Sequence, residues 1–162
     1  MRLLQLKADN FRLFQDLSLL PHSRLNFFYG ANAAGKTSLL EAIYTLGRAK
    51  SFRGSSPADL AGVQGRHWTL FGRVGTDGES ALSHKLGVGW AQGETSIRID
   101  SQTANSLQLL QRLSVQVLEP GMHRVLQEGP TYRRSFLDWG VFHVEPQFMP
   151  IWRRYRRALR QR

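Results

Sequence analysis

The 162-residue chain contains no cysteine, which excludes disulfide bonds and thiolate metal sites. It also lacks any apolar run near the roughly 20 residues that a membrane-spanning helix needs. The N-terminus has neither the long apolar core nor the small-residue cleavage site of a secretory signal peptide. These absences predict a soluble, cytoplasmic protein without a membrane partner, and the length is sufficient for one domain with a hydrophobic core.

Acidic residues are absent from the last twelve positions, which are strongly basic. Residues 151–162 contain six arginines, whereas the whole chain has 22 lysines and arginines against 12 acids. A concentrated basic segment attracts polyanions, and nucleic acid is the usual partner. The simpler alternative is the solvated face of an amphipathic helix whose apolar stripe packs elsewhere. For any single arginine we favour that alternative, and for the cluster as a whole we favour DNA binding.

Two glycines mark the most specific motif of the chain. Residues 30–37 read GANAAGKT and fit GxxxxGK[ST], the pattern of a phosphate-binding loop. An extended apolar run, residues 25–29, precedes the loop, and residues 38–46 follow it with helical periodicity. This arrangement predicts a strand, a loop and a helix that together bind a nucleoside triphosphate with Mg²⁺.

The pattern gives each loop residue a chemical role. Successive backbone N–H groups from about Asn32 onward hold phosphate oxygens, helped by the partial positive charge of the helix N-terminus. Lys36 places its ammonium group on the β- and γ-phosphates, and Thr37 supplies a hydroxyl to Mg²⁺. The predicted ATP site comprises Gly30, Asn32, Ala33, Ala34, Gly35, Lys36, Thr37 and Ser38, with Thr37 as the metal ligand.

Hydrolysis needs more than this loop, because a carboxylate must hold the metal shell and another group must orient the attacking water. The apolar run 115–118 leads to Glu119, but Pro120 follows at once and no second acid accompanies it. Asp138 falls in a predicted helix. We interpret Glu119 as the end of a strand and Asp138 as the partner of a nearby arginine. The sequence therefore assigns no catalytic residue.

Hydrophobic periodicity and turn residues predict a mixed α/β chain. Strands are predicted over residues 1–9, 14–20, 24–29, 67–75, 83–90, 95–100 and 114–118. Helices are predicted over residues 38–46 and 105–112, from residue 130, and around an apolar stripe spanning residues 148–159. Gly47 is predicted to cap the first helix, and residues 48–66 are predicted to form a loop.

Several stretches resemble the RecF family of bacterial DNA-repair proteins, which belongs with the ABC-type ATPase heads of the SMC group. The likeness covers essentially the whole chain. It rests on residues 9–12 (DNFR), residues 30–44 with the phosphate loop, residues 51–53 (SFR), residues 132–140 with His143, and residues 155–162. Ala33 and Ala34 depart from the glycine and serine often found at these positions of such loops. Alanine is small enough for them if its φ stays negative.

The resemblance implies an ABC-type P-loop ATPase lobe with an antiparallel β-subdomain and the start of a helical lobe. We place the N-terminal part of the head at residues 1–128, with a β-rich subdomain at about 67–119, and a truncated helical arm at residues 129–162. In the family, the signature motif, the metal-shell strand and the acidic base lie beyond that arm. The chain thus resembles an N-terminal portion of about half the protein, which binds ATP without hydrolysing it alone.

The resemblance further implies an ATP-dependent homodimer that binds junctions of single- and double-stranded DNA. RecO, RecR and RecA are the implied partners, in loading RecA at gaps and in the SOS response. In the family, an arginine early in the chain contacts adenosine, and Arg12 is the corresponding residue here. Gln116 corresponds to a glutamine that senses the γ-phosphate. Two alternatives stay open: a DNA-binding module with a vestigial nucleotide site, and a small-molecule kinase, although the β-rich residues 67–100 fit an ATPase head better.

Overall fold

The computed structural model describes residues 2–63, 65–75, 82–118, 130–145 and 147–161, without the side chains of residues 132, 135, 139 and 143. The chain divides into two compact units, Met1–Val117 and Leu118–Arg162. Each unit is described by itself. Glu119 and Pro120 lie outside the described residues, as does the side chain of His143.

A six-stranded antiparallel sheet forms the framework of the first unit, with the strand order β2-β1-β3-β4-β5-β6. Its strands are β1 (Arg2–Phe11), β2 (Phe14–Leu19), β3 (His67–Gly75), β4 (Ser83–Ala91), β5 (Glu94–Ile99) and β6 (Gln102–Thr103). The helices of this unit are α1 (Lys36–Arg48) and α2 (Ser106–Arg112), and a short 3-10 turn spans Ala58–Leu60. Within β1, Leu6 and Ala8 are buried while Lys7 and Asp9 are exposed, which confirms the alternation predicted from the sequence.

The hydrophobic core contains side chains from β1, β3, β4, α1 and α2. Trp68 is one of its largest members, and its ring meets Phe11 edge to face at 5.5 Å. Gly72 allows close packing here, because a Cβ atom at this position would lie 2.3 Å from Cδ2 of Leu46 on α1. Helix α1, which follows the predicted loop, therefore packs against the sheet with its apolar face.

Gly47 does not cap α1, so that prediction is wrong. The helix continues to Arg48, and Ala49 ends it with φ of 53° while its N–H donates to the Thr45 carbonyl at 2.7 Å. Gly47 is needed for packing, since a Cβ atom there would lie 2.7 Å from Cγ2 of Val115. A glycine near a helix end thus marks a close contact with a later segment.

Two predicted strands, over residues 24–29 and 114–118, are not strands in the structure. Residues 25–29 include exposed apolar side chains, with Tyr29 94% exposed, and none of the described strands pairs with them. A strand requires a partner for its backbone N–H and C=O groups, and local periodicity cannot show whether one is present. In the second segment, Val115 packs against the core as part of an irregular connection.

In the second unit, the residues that the structure describes form two helices, α3 (Pro130–Val144) and α4 (Phe148–Arg160). Asp138 accepts a hydrogen bond from Nε1 of Trp152 at 3.1 Å, and the pairing of Asp138 with an arginine stays a prediction. Arg156 lies over the indole ring of Trp152, 4.9 Å from its centroid. Within the described part of the chain, no helix is both long and apolar enough to cross a membrane.

Candidate nucleotide-binding site

Residues 30–35 form a tight loop with unusual backbone angles. Gly30 has φ of 151° and Gly35 has φ of 92°, while Ala33 has φ of 66°. Ala33 therefore does not meet the condition of a negative φ under which alanine suits such a loop. The left-handed region costs a residue with a Cβ atom about 1–2 kcal/mol, and such strain is concentrated at functional loops.

Gly35 caps the N-terminus of α1 without a side-chain hydrogen bond. The first backbone N–H groups of a helix have no acceptor inside the helix, so those of Lys36, Thr37 and Ser38 start α1 as free donors at its positive end. A Cβ atom at Gly35 would lie 3.2 Å from Cζ of Phe14. The beginning of β2 thus supports the loop closely from behind.

Lys36 lies across the loop that it ends. Its Nζ donates hydrogen bonds to the carbonyl oxygens of Gly30 and Ala31, each at 2.7 Å. These two bonds hold the ammonium group against the loop, where the backbone donors of α1 also begin. Positive charge and N–H donors converge on one concavity, which is the arrangement that binds phosphate groups.

A cavity of about 300 Å³ opens over the loop, and its volume falls at the lower end of the range of small-molecule sites. All of the predicted loop residues except Gly30 line it. The lining residues are Leu13, Asn32, Ala33, Ala34, Gly35, Lys36, Thr37, Ser38 and Arg53. Leu13 and Arg53 were not predicted as site residues, although Arg53 belongs to residues 51–53 (SFR), one of the stretches that resemble the RecF family.

Arg12 does not line this cavity, and its guanidinium group is engaged elsewhere. It donates to both carboxylate oxygens of Glu41 at 2.8 and 2.9 Å, to Oγ of Ser55 at 2.6 Å, and to the carbonyl oxygen of Asp59 at 2.8 Å. The implied contact between Arg12 and adenosine stays a prediction. So does the role of Gln116, which lies in the irregular segment after α2.

Glu41 remains charged although it is fully buried. Burial raises the pKa of its carboxyl group, but hydrogen bonds from Arg12 and Ser51, with the nearby charges of Arg12 and Arg53, outweigh that effect and lower the pKa below its ordinary value. Because Arg12 and Ser51 donate hydrogen bonds to its carboxylate oxygens, we do not assign Glu41 as a metal ligand. Among the described residues, no group of three or more histidine, aspartate or glutamate side chains is arranged to hold a metal ion.

A family model, described as AAA domain, matches residues 5–119 of the chain. Curated relatives named DNA replication and repair protein RecF align with the whole chain. The protein of Pseudomonas putida is 44% identical, and that of Pseudomonas aeruginosa strain PAO1 is 43% identical. The chain spans 44% of the length of each of these relatives, and it matches their N-terminal portion.

Solved structures give the same result. Two structures of the recombination mediator protein RecF in the RecFOR pathway, RecF-ATPrS and RecF-ATP, superpose with TM-scores of 0.84 and 0.83 at 26% identity. The aligned regions cover 99% and 98% of this chain and 43% of each of the two solved chains. A structure from work on SMC ATPases, at 16% identity, has a TM-score of 0.63 and covers 85% of this chain and 98% of its own. The mixed α/β fold is thus the one that RecF and SMC ATPase heads share.

Proposed function

Because the chain belongs to the AAA domain family and matches the N-terminal portion of RecF, we propose that it is the ATP-binding half of a RecF-like DNA-repair ATPase. The observation that carries the proposal is the loop at residues 30–37. Lys36 lies across this loop, and α1 follows it with an N-cap residue, Gly35, that offers no side-chain acceptor to the first N–H groups. Both features supply positive charge or N–H donors to a single cavity.

The residues around that cavity fit ATP with Mg²⁺. The backbone N–H groups at the start of α1 would hold phosphate oxygens, and the Lys36 ammonium would balance the charge of the β- and γ-phosphates. Thr37 is exposed on the first turn of α1, where its hydroxyl would be a ligand of Mg²⁺. The bound metal would draw negative charge away from the phosphates, while Leu13 and Arg53 would contact the nucleotide from the cavity wall.

Thr37→Val tests the metal site with little change in side-chain shape. Calorimetric titration of the chain with ATP should detect binding that Mg²⁺ strengthens. Loss of one oxygen ligand should reduce the strengthening of ATP binding by Mg²⁺ about tenfold, which corresponds to about 1.4 kcal/mol. Thr37→Ser should restore it. Equal Mg²⁺ dependence in Thr37→Val and the unaltered chain would contradict the role of Thr37. Absence of ATP binding by the unaltered chain would contradict the proposed function.

Hydrolysis is proposed to need groups that this chain does not supply. In-line attack on the γ-phosphate requires a metal-shell carboxylate and a residue that orients water. We assign those groups to the remaining half of a RecF-like protein and to a second protomer in an ATP-dependent homodimer. Steady-state ATP turnover by the chain alone, abolished by Lys36→Ala, would contradict this assignment.

DNA is the proposed macromolecular ligand, and α4 is the surface in this chain that suits it best. Arg153, Arg156, Arg157 and Arg160 are exposed and fall within an arc of about 100° at 3.6 residues per turn. The apolar residues Ile151, Tyr155 and Leu159 lie on another face. The likeness to RecF supports binding at junctions of single- and double-stranded DNA, work with RecO and RecR in loading RecA, and a cytoplasmic location.

Replacing Arg153 and Arg157 together by alanine should weaken DNA binding and flatten its salt dependence. Each lost phosphate contact reduces the slope of log K against log salt by about 0.9 for duplex DNA, so the pair should reduce it by about 2. Fluorescence anisotropy with a labelled gapped duplex at several salt concentrations measures the slope. The matched control removes Arg73 and Arg98, which are exposed on β3 and β5; an equal loss in the control would show that only net charge matters.

The same titration distinguishes the alternative of a DNA-binding module with a vestigial nucleotide site. That alternative predicts a DNA affinity that is unchanged by ATP with Mg²⁺ and by Lys36→Ala. An ATP-binding ATPase half predicts that at least one of these changes alters the DNA affinity. The arginine face of α4 alone is consistent with both, whereas the geometry at residues 30–37 favours the ATPase half.

A further inference from the structure

Glu41 lies on α1, five residues after Lys36, and its carboxylate is fully buried. It is the only acidic side chain among the buried residues that the structure describes. Burying a charge is strongly unfavourable unless the charge is paired and hydrogen-bonded. The site therefore uses Glu41 for a purpose that an apolar residue would not serve.

The partners of Glu41 come from two separate segments of the chain. Arg12, in the turn between β1 and β2, binds both carboxylate oxygens through Nε and Nη2. Ser51, after α1, donates its hydroxyl to Oε1. Glu41 thus joins α1 to the β1–β2 turn and to the loop at residues 51–60.

Further contacts tighten both connections. Arg12 also binds Ser55 and the carbonyl oxygen of Asp59, while its backbone N–H donates to the carbonyl of Leu60 at 2.8 Å. Arg12 adopts φ of 54°, a left-handed conformation that these contacts hold in place. In the other segment, the backbone N–H of Arg53 donates to Oγ of Ser51 at 2.9 Å.

The residues next to these anchors form the cavity wall. Leu13 directly follows Arg12, and Arg53 lies two residues after Ser51, and both line the cavity over the phosphate loop. The rest of the wall is the loop itself and the first turn of α1. One carboxylate on α1 therefore sits behind both of the other segments that face the cavity.

We propose that Glu41 is a positioning residue of the nucleotide site, which sets the places of Leu13 and Arg53 relative to Lys36 by anchoring Arg12 and Ser51. The inference rests on the proposed function, because it assigns the cavity to ATP. Glu41 does not touch the nucleotide in this scheme. It acts on Leu13 through Arg12 and on Arg53 through Ser51.

Glu41→Gln keeps the side-chain shape but removes the charge and one acceptor oxygen. Calorimetry with ATP and MgCl₂ should show a Kd that is higher by about tenfold. This change corresponds to about 1.4 kcal/mol of binding free energy. In an Arg53→Ala background the same change should weaken binding by at most about threefold, because residues that act as one unit are non-additive. Equal effects in both backgrounds would show that Glu41 only stabilises the fold, and an unchanged Kd would overturn the proposal.

Asp100→Asn is the matched control. Its carboxylate also accepts a backbone hydrogen bond, from Lys85, and pairs with His84, but it lies outside the cavity. We expect this variant to lower Tm without changing the Kd for ATP. If Glu41→Gln does not fold, Ser51→Ala removes one contact of Glu41 and should weaken binding about threefold; an unchanged Kd there would overturn the proposal. Failure of the unaltered chain to bind ATP would instead contradict the proposed function.

Discussion

Lys36→Ala is expected to weaken ATP binding by about two orders of magnitude. Hydrogen bonds to charged groups contribute about 1.5–3 kcal/mol each, and the ammonium would serve both the β- and γ-phosphates, so a loss of about 3 kcal/mol is expected. That loss corresponds to about 100-fold in Kd. Calorimetric titration with ATP and MgCl₂ measures the difference directly.

Stability should change little in the same variant. Among the residues that the structure describes, the Lys36 ammonium donates to the carbonyl oxygens of Gly30 and Ala31, and both bonds are exposed, so water can replace them. Lys7→Ala is the matched control, because Lys7 is an exposed lysine on β1 with the same charge. A Kd that stays within threefold of the unaltered chain in Lys36→Ala would contradict the phosphate-binding role.

The parts of the fold that the sequence predicted correctly are those with local causes. The strands that became β3, β4 and β5 were predicted because glycine-containing breaks separate apolar runs. Gln92 and Gly93, between two of them, have φ of 53° and 85°, as a tight hairpin requires. The loop that leads into α1 was predicted because its glycines, lysine and threonine occur at fixed offsets, which needs no knowledge of distant contacts; its role in phosphate binding stays a prediction.

The parts that could not be predicted depend on pairing over long distances. Residues 25–29 have the composition of a strand, yet composition does not state whether a neighbouring strand is present. Leu13 and Arg53 are 40 positions apart, and their segments meet through long-range contacts, among them those of Arg12 and Ser51 with Glu41. The sequence carries no local signal that Glu41 is buried, because its partners Arg12 and Ser51 lie 29 and 10 positions away.

Trp68→Ala is expected to cause the largest loss of stability in the first unit. Trp68 is 1% exposed, packs on Phe11, and donates from Nε1 to the carbonyl oxygen of Pro57 at 2.7 Å. Removing a buried tryptophan side chain costs about 3–5 kcal/mol, a large share of the roughly 5–15 kcal/mol that stabilises a typical domain. Urea unfolding followed by circular dichroism measures the change.

Trp68→Phe separates packing from the hydrogen bond. Phenylalanine retains an aromatic ring for Phe11 but leaves the Pro57 carbonyl without its donor, so we expect a smaller loss of about 1–3 kcal/mol. Pro57 begins the turn that leads to Asp59, which binds Arg12. The core and the candidate site are therefore connected through the carbonyl group of Pro57. Trp68→Phe should for this reason also weaken ATP binding slightly. A loss below about 1 kcal/mol in Trp68→Ala would contradict the buried position of this side chain, because large losses come from cavities in the core.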